Sequence, residues 1–153
     1  MNREIKFRGK EGKTGKWLYG AFFKHERYTR CPFITSGEEV PPAEYLYLII
    51  NSGFSDWNLP RPIDAHSVDP ATVGQYTGLK DKNGVEIYEG DIVACGDSKV
   101  PTEIRWVQES SAFMAYNLKR KEYHLLNKYF DRFIGKIIGN IYDNPELLEG
   151  VAG

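Results

Sequence analysis

Cysteine is almost missing from this sequence: Cys31 and Cys95 are the only two, 64 positions apart. Such a pair is no framework for a disulfide-stapled fold, and it fits the reduced thiols of a cytoplasmic protein. Long apolar runs are missing too. The longest, residues 46–50, is interrupted by Tyr47 and is far too short to cross a bilayer. The opening MNREIK lacks the hydrophobic segment of a secretion signal. No membrane partner is expected. Neither sign of charge is in excess, with 20 Lys/Arg against 21 Asp/Glu, so nothing global demands a polyanion. No internal repeat or low-complexity tract occurs, and no clear linker separates two domains.

Signatures of catalysis and of bound metal are equally scarce. GKEGKTGK at residues 9–16 invites a phosphate-loop reading, but Gly9 and Gly15 are six apart where five are needed. Trp17 also follows Lys16 where Ser or Thr would hold the metal. The three histidines His25, His66 and His124 join the two cysteines in no Cys-x-x-Cys or His-x-x-x-His spacing, so no structural zinc is expected. Asp81-Lys82-Asn83-Gly84 opens like a calcium loop, yet its Gly stands fourth instead of sixth. No Gly-x-Ser-x-Gly elbow exists, and neither Cys lies in a nucleophile motif. The sequence predicts no cofactor and no enzyme, unless the fold gathers a site from distant residues.

Aromatic residues are abundant: ten Tyr, eight Phe and three Trp in 153 residues. They favour sheets, and with 41% hydrophobic residues they argue against disorder. Alternation in REIKFR, residues 3–8, predicts a half-buried strand. The Gly- and Lys-rich loop joins it to a second strand at residues 17–24 as a hairpin. Residues 28–36 extend further, with Cys31-Pro32 at a strand edge or turn. Residues 37–43 form a loop, and residues 45–51 are the most strongly buried strand of this half. In the excursion at 51–62, Phe54 and Trp57 are expected to pin a loop to the core.

The chain then reaches VDPATVGQYTGLKDKNGVEIYEGDIVA, residues 68–94, with the densest turn and strand signals. Asp69 and Pro70 predict a capped turn. Asp81, Asn83 and Gly84 predict a hairpin turn with Gly84 at positive φ. Gly90 and Asp91 kink the chain before a buried strand, Ile92 to Ala94. Beyond lie strands at 102–108 and 112–117 and an ambiguous stretch at 119–133, where helix and strand fit about equally. A closing strand at 133–142 and one terminal helical turn at 143–148 follow. The expected core includes Ile5, Phe7, Tyr47, Ile49, Ile87, Ile92, Trp106, Phe113, Ile138 and Ile141. The predicted class is mainly β (α+β at most) with one or two short helices. An N-terminal β-hairpin region, 1–67, packs with a C-terminal SH3-like small barrel, 68–153, and the two can form one continuous domain.

Three segments carry a family likeness: VDPATVGQYTGLKDKNG, IYEGDIV, and IIGNIYDNPELL at residues 137–148. Together with the opening REIKFRG and GKWLYG, they resemble the YopX family of small phage and prophage proteins. The likeness spans most of the chain and fails in 24–63 and 119–132. It implies a phage-associated, β-rich soluble protein in the cytoplasm of a bacterial host, and it supplies no catalytic residues.

Two charge features remain. Glu86, Glu89 and Asp91 are close enough in sequence to act as acid and base or to hold Mg²⁺, although Asp at a strand start commonly accepts backbone amides. Residues 1–30 carry nine Lys/Arg against three Asp/Glu, whereas residues 31–100 carry four against eleven. Arg3, Lys6, Arg8, Lys10, Lys13 and Lys16 with Trp17 are therefore candidates for binding a partner or a single-stranded nucleic acid. The leading expectation is a non-catalytic binding or assembly module. Its partner is another copy of the chain, so that basic and acidic regions meet in a homo-oligomer, or a phage or host protein. Nucleic-acid binding is the alternative.

Overall fold

The computed structural model describes residues 4–27, 43–52, 62–95, 100–126 and 135–149. Arg3, Cys31, Phe54, Trp57 and the expected extended segment at 28–36 lie outside these residues. The chain divides into two units, one of Lys6–Val73 and one of Met1–Ile5 with Gly74–Gly153.

In the first unit four strands run antiparallel: β1 (Phe7–Lys10), β2 (Trp17–Glu26), β3 (Tyr45–Ser52) and β4 (Ile63–Ser67). They lie side by side in the order β4-β3-β2-β1. The β1–β2 hairpin closes where Glu11 N donates to Lys16 O and Gly15 N donates to Glu11 O, both at 2.8 Å. Gly20 shows how closely β2 and β3 approach: a Cβ there would lie 2.1 Å from Ile50 O. Only Gly fits that position. Register pairs Phe22 with Ile49. Phe22 also lies 5.5 Å from the Phe7 ring and 6.3 Å from the Tyr47 ring. This face holds the wholly buried Ile49.

After β4, the Asp69 carboxylate accepts Ala71 N at 2.9 Å and caps a 3₁₀ turn at Pro70–Thr72, as its sequence demands. That turn is tied back to β1. Thr72 Oγ1 accepts Lys10 N at 2.8 Å, while Asp69 N donates to Lys10 O at 2.9 Å.

The second unit begins with β5 (Gly74–Lys80) and β6 (Glu86–Tyr88), an antiparallel pair around the turn at Asp81 to Gly84. Gly84 has φ +81°, the left-handed conformation expected of it. Five strands follow: β7 (Asp91–Cys95), β8 (Val100–Val107), β9 (Ala112–Asn117), β10 (Glu122–Leu125) and β11 (Lys136–Asn140). Their order is β10-β9-β8-β7-β11, antiparallel throughout. The strand β10 occupies part of the ambiguous stretch, and residues 127–134 lie outside the described set. The only α-helix bounded within the described residues is the single turn Glu146–Glu149. The protein is mainly β. No helix among the described residues is long and apolar enough to cross a membrane.

The core of this unit is Ile87, Val93, Ile104, Ala115 and Leu126, with Leu79, Phe113 and Ile137 packed against it. Ile49, Ile87 and Ile92 are wholly buried as expected. Three expected core residues are exposed instead: Ile5, Trp106 and Ile138. Ile5 precedes β1, which starts only at Phe7, and so lies outside the strand expected to bury it. Trp106 stands near the end of β8, where its ring meets Phe113 edge-to-face at 5.0 Å and its Nε1 donates to Gln108 Oε1 at 3.1 Å. Ile138 is the extra residue of a bulge. Pairing steps from Ile137 with Val93 to Gly139 with Ile92, which turns the Ile138 side chain away from the core.

Candidate interaction surface

Alternation along a strand sends successive side chains to opposite faces, so the β2 run Trp17 to Phe23 must be apolar on both sides. One side is the packed face of Phe22 and Ile49. The other carries Tyr19, Ala21 and Phe23 on β2, Leu48 and Ile50 beside them on β3, and Ile63 and Ala65 on β4. This second face is open. Tyr19 is 44% exposed, Phe23 50% and Ile63 79%. Ala21 and Ala65 are exposed as well, while Leu48 and Ile50 are half-buried. The same openness explains why β3 is not the deeply buried strand its composition predicts, with Ile49 alone fully enclosed.

The basic candidates divide. Arg8 and Lys10 pair with Tyr19 and Trp17 and share their side of the sheet, whereas Phe7 points to the packed side. The Arg8 guanidinium lies 4.7 Å from the centre of the Trp17 ring and the Lys10 ammonium 6.0 Å. Arg8 is thereby buried, which removes it from any exposed basic ribbon. Lys13 and Lys16 stand exposed in the hairpin loop, and Lys6 is half-buried just before β1.

The acidic candidates are committed to local structure. Glu86 Oε2 accepts the Tyr88 hydroxyl at 2.8 Å, and the buried Asp91 accepts Tyr88 N at 2.8 Å. Gly90, at φ +82°, makes the kink expected at this point. Burial raises Glu89 above the usual carboxylate range, against the Trp106 and Gln75 amides, and the Glu103 charge pushes the same way. Glu103 was not anticipated from sequence, because it stands on a different strand. Its carboxylate is gripped by Arg105 Nη2 at 2.6 Å, and that guanidinium lies 4.3 Å from the Tyr116 ring centre. Among the described residues no three His, Cys, Asp or Glu side chains group as a metal site.

Asp81 and Asn83 belong to the turn. Asp81 Oδ1 accepts the amides of Asn83 at 2.8 Å and Val85 at 2.9 Å, while Oδ2 accepts Ile137 N on β11 at 3.2 Å. Burial opposes its ionisation. The Val85, Ile137 and Asn83 amides and the Lys136 charge outweigh that burial and hold Asp81 below the usual range.

The family model described as YopX protein matches residues 6–149. The crystal structure of protein EF1440 from Enterococcus faecalis is similar over 96% of this chain and 99% of that one. The two share 24% identity, with a TM-score of 0.53. That likeness concerns the fold alone. No curated protein matches the chain.

Proposed function

The chain belongs to the YopX protein family, and from that premise we propose that it is a non-catalytic assembly module of phage or prophage origin, working in the bacterial cytoplasm by associating with its own copies. One observation carries this reading: the open apolar face of Tyr19, Ala21, Phe23, Ile63 and Ala65. Contiguous exposed apolar surface of this kind marks contact with other protein chains. Glu86, Glu89 and Asp91 each accept a structural hydrogen bond, which supports a role without catalysis.

By the same proposal the second unit is an SH3-like variant. Support comes from the strand order, in which β7 to β10 form a meander and β11 returns beside β7, the order of that fold family. The alternative function, single-stranded nucleic-acid binding, is favoured by the Lys10 ammonium over the Trp17 ring beside the exposed Tyr19 ring.

Native mass measured with and without single-stranded DNA or RNA separates the two. The expected result is a mass above that of the monomer, unchanged by nucleic acid. A monomer that forms salt-sensitive complexes with either polymer would reverse the order of the two readings.

A further inference from the structure

We infer that β4 is the self-association edge, pairing antiparallel with β4 of a second copy about a two-fold axis at Ala65. This rests on the assembly reading and assigns its contact. Among the described residues β4 has β3 as its one ladder neighbour. Edge strands of soluble proteins are usually blunted by Lys, Pro or a bulge. Ile-Asp-Ala-His-Ser has no Lys and no Pro, and it pairs with β3 in unbroken register.

The direction of the free backbone groups follows from that register. Val68 N donates to Tyr47 O at 2.9 Å, just beyond the last ladder pair, Leu48 with Ser67. Hydrogen-bonded and non-bonded pairs alternate along an antiparallel ladder. His66 and Asp64 therefore direct their N–H and C=O toward β3. Ile63, Ala65 and Ser67 direct theirs outward.

A two-fold axis at Ala65 matches these outward groups pair by pair. Ala65 meets Ala65 of the other copy, and Ile63 meets Ser67 in both directions. Asp64 then falls opposite His66 of the other copy, twice, at the non-bonded positions where side chains lie closest. His66 Nδ1 faces Glu11 at 3.6 Å within its own unit, which leaves Nε2 for the incoming carboxylate. Neighbouring registers lose this match. An axis at residue 64 sets Asp against Asp, and one at residue 66 sets His against His. The match of carboxylate acceptor with imidazole donor, made twice, thus selects one register and one occupant. Ile63 and Ala65 extend the open apolar face across the axis.

The test is sedimentation of the full chain over two decades of concentration. The wild type is expected to form a reversible dimer. Ala65→Pro removes an outward N–H without touching the β3 ladder and should abolish the dimer. Asp64→Lys replaces the acceptor opposite His66 with a second donor and should weaken the dimer by roughly tenfold or more. His66→Lys places an ammonium facing both Glu11 and Asp64 and should preserve or tighten it. Circular dichroism confirms that each variant is folded. An oligomer indifferent to all three changes overturns the β4 contact while leaving assembly intact. A wild-type monomer at every concentration overturns both.

Discussion

Asp81 holds the β5–β6 turn to β11, and its removal should be among the more damaging changes to an acidic residue in this chain. In Asp81→Ala three amides lose an ionised acceptor: Asn83 N, Val85 N and Ile137 N. Hydrogen bonds to a charged group are each worth about 1.5–3 kcal/mol net, but these three share one carboxylate and cannot simply add. Asn83 and Val85 are exposed, so water replaces part of their loss. Allowing for both, Asp81→Ala should cost about 2–4 kcal/mol at neutral pH. Asp81→Asn keeps one acceptor oxygen, which can serve either the turn or β11, and should cost roughly half as much.

The pH dependence gives a sharper check. Asp81 is held below its ordinary value in the folded state, so its ionised form contributes stability above the unfolded value, about 3.9. That contribution fades as pH falls through the folded value. Urea unfolding at several pH values should therefore show the gap between wild type and Asp81→Asn wide at pH 7 and shrinking below about pH 4. A gap that is negligible at pH 7, or that stays constant into strong acid, would refute the assignment of three amides to this carboxylate.

Two further outcomes follow from neighbouring positions. Gly84→Val should cost about 1–2 kcal/mol by urea unfolding, because φ +81° strains a β-branched residue. An added Cβ meets nothing within 4 Å, so Gly84→Ala should cost less than Gly84→Val, through backbone strain alone. Glu89→Gln should be neutral or stabilising at pH 7, since burial and Glu103 disfavour the ionised side chain in the folded state. With the folded value raised, wild-type stability is lost as pH rises through it, so any advantage of Gln should vanish in acid. A loss of stability at pH 7 would instead mean that the Trp106 amide's bond to the carboxylate outweighs its burial.

Turns were the most legible part of this chain because their chemistry is local. Asp69-Pro70 and Asp81-Lys82-Asn83-Gly84 specify their conformations through side chains two to four residues away. Strand positions were legible as far as alternation extends, and exposure was not. Ile138 matches a core residue by type, and what expels it is a one-residue slip against Val93 and Ile92, about 45 positions earlier in the chain. Ile137 N donating to Asp81 Oδ2 is of the same long-range kind.

The open face had a signal that alternation alone does not use. Trp17 to Phe23 contains apolar side chains at both parities, and so does Leu46 to Ile50 beside it. In a sheet packed on one side, such doubly apolar strands need a second cover. Phe22 and Ile49 have one face's partners, whereas Phe23 and Ile63 remain half or more exposed. The excess of apolar residues over what one face can use was therefore readable as unfinished burial. What covers that face was not readable, and neither was the edge pairing inferred for β4, because both concern groups on another molecule. Asp64 and His66 become complementary only when β4 is written against its own reverse, a pairing that periodicity within one chain never brings together.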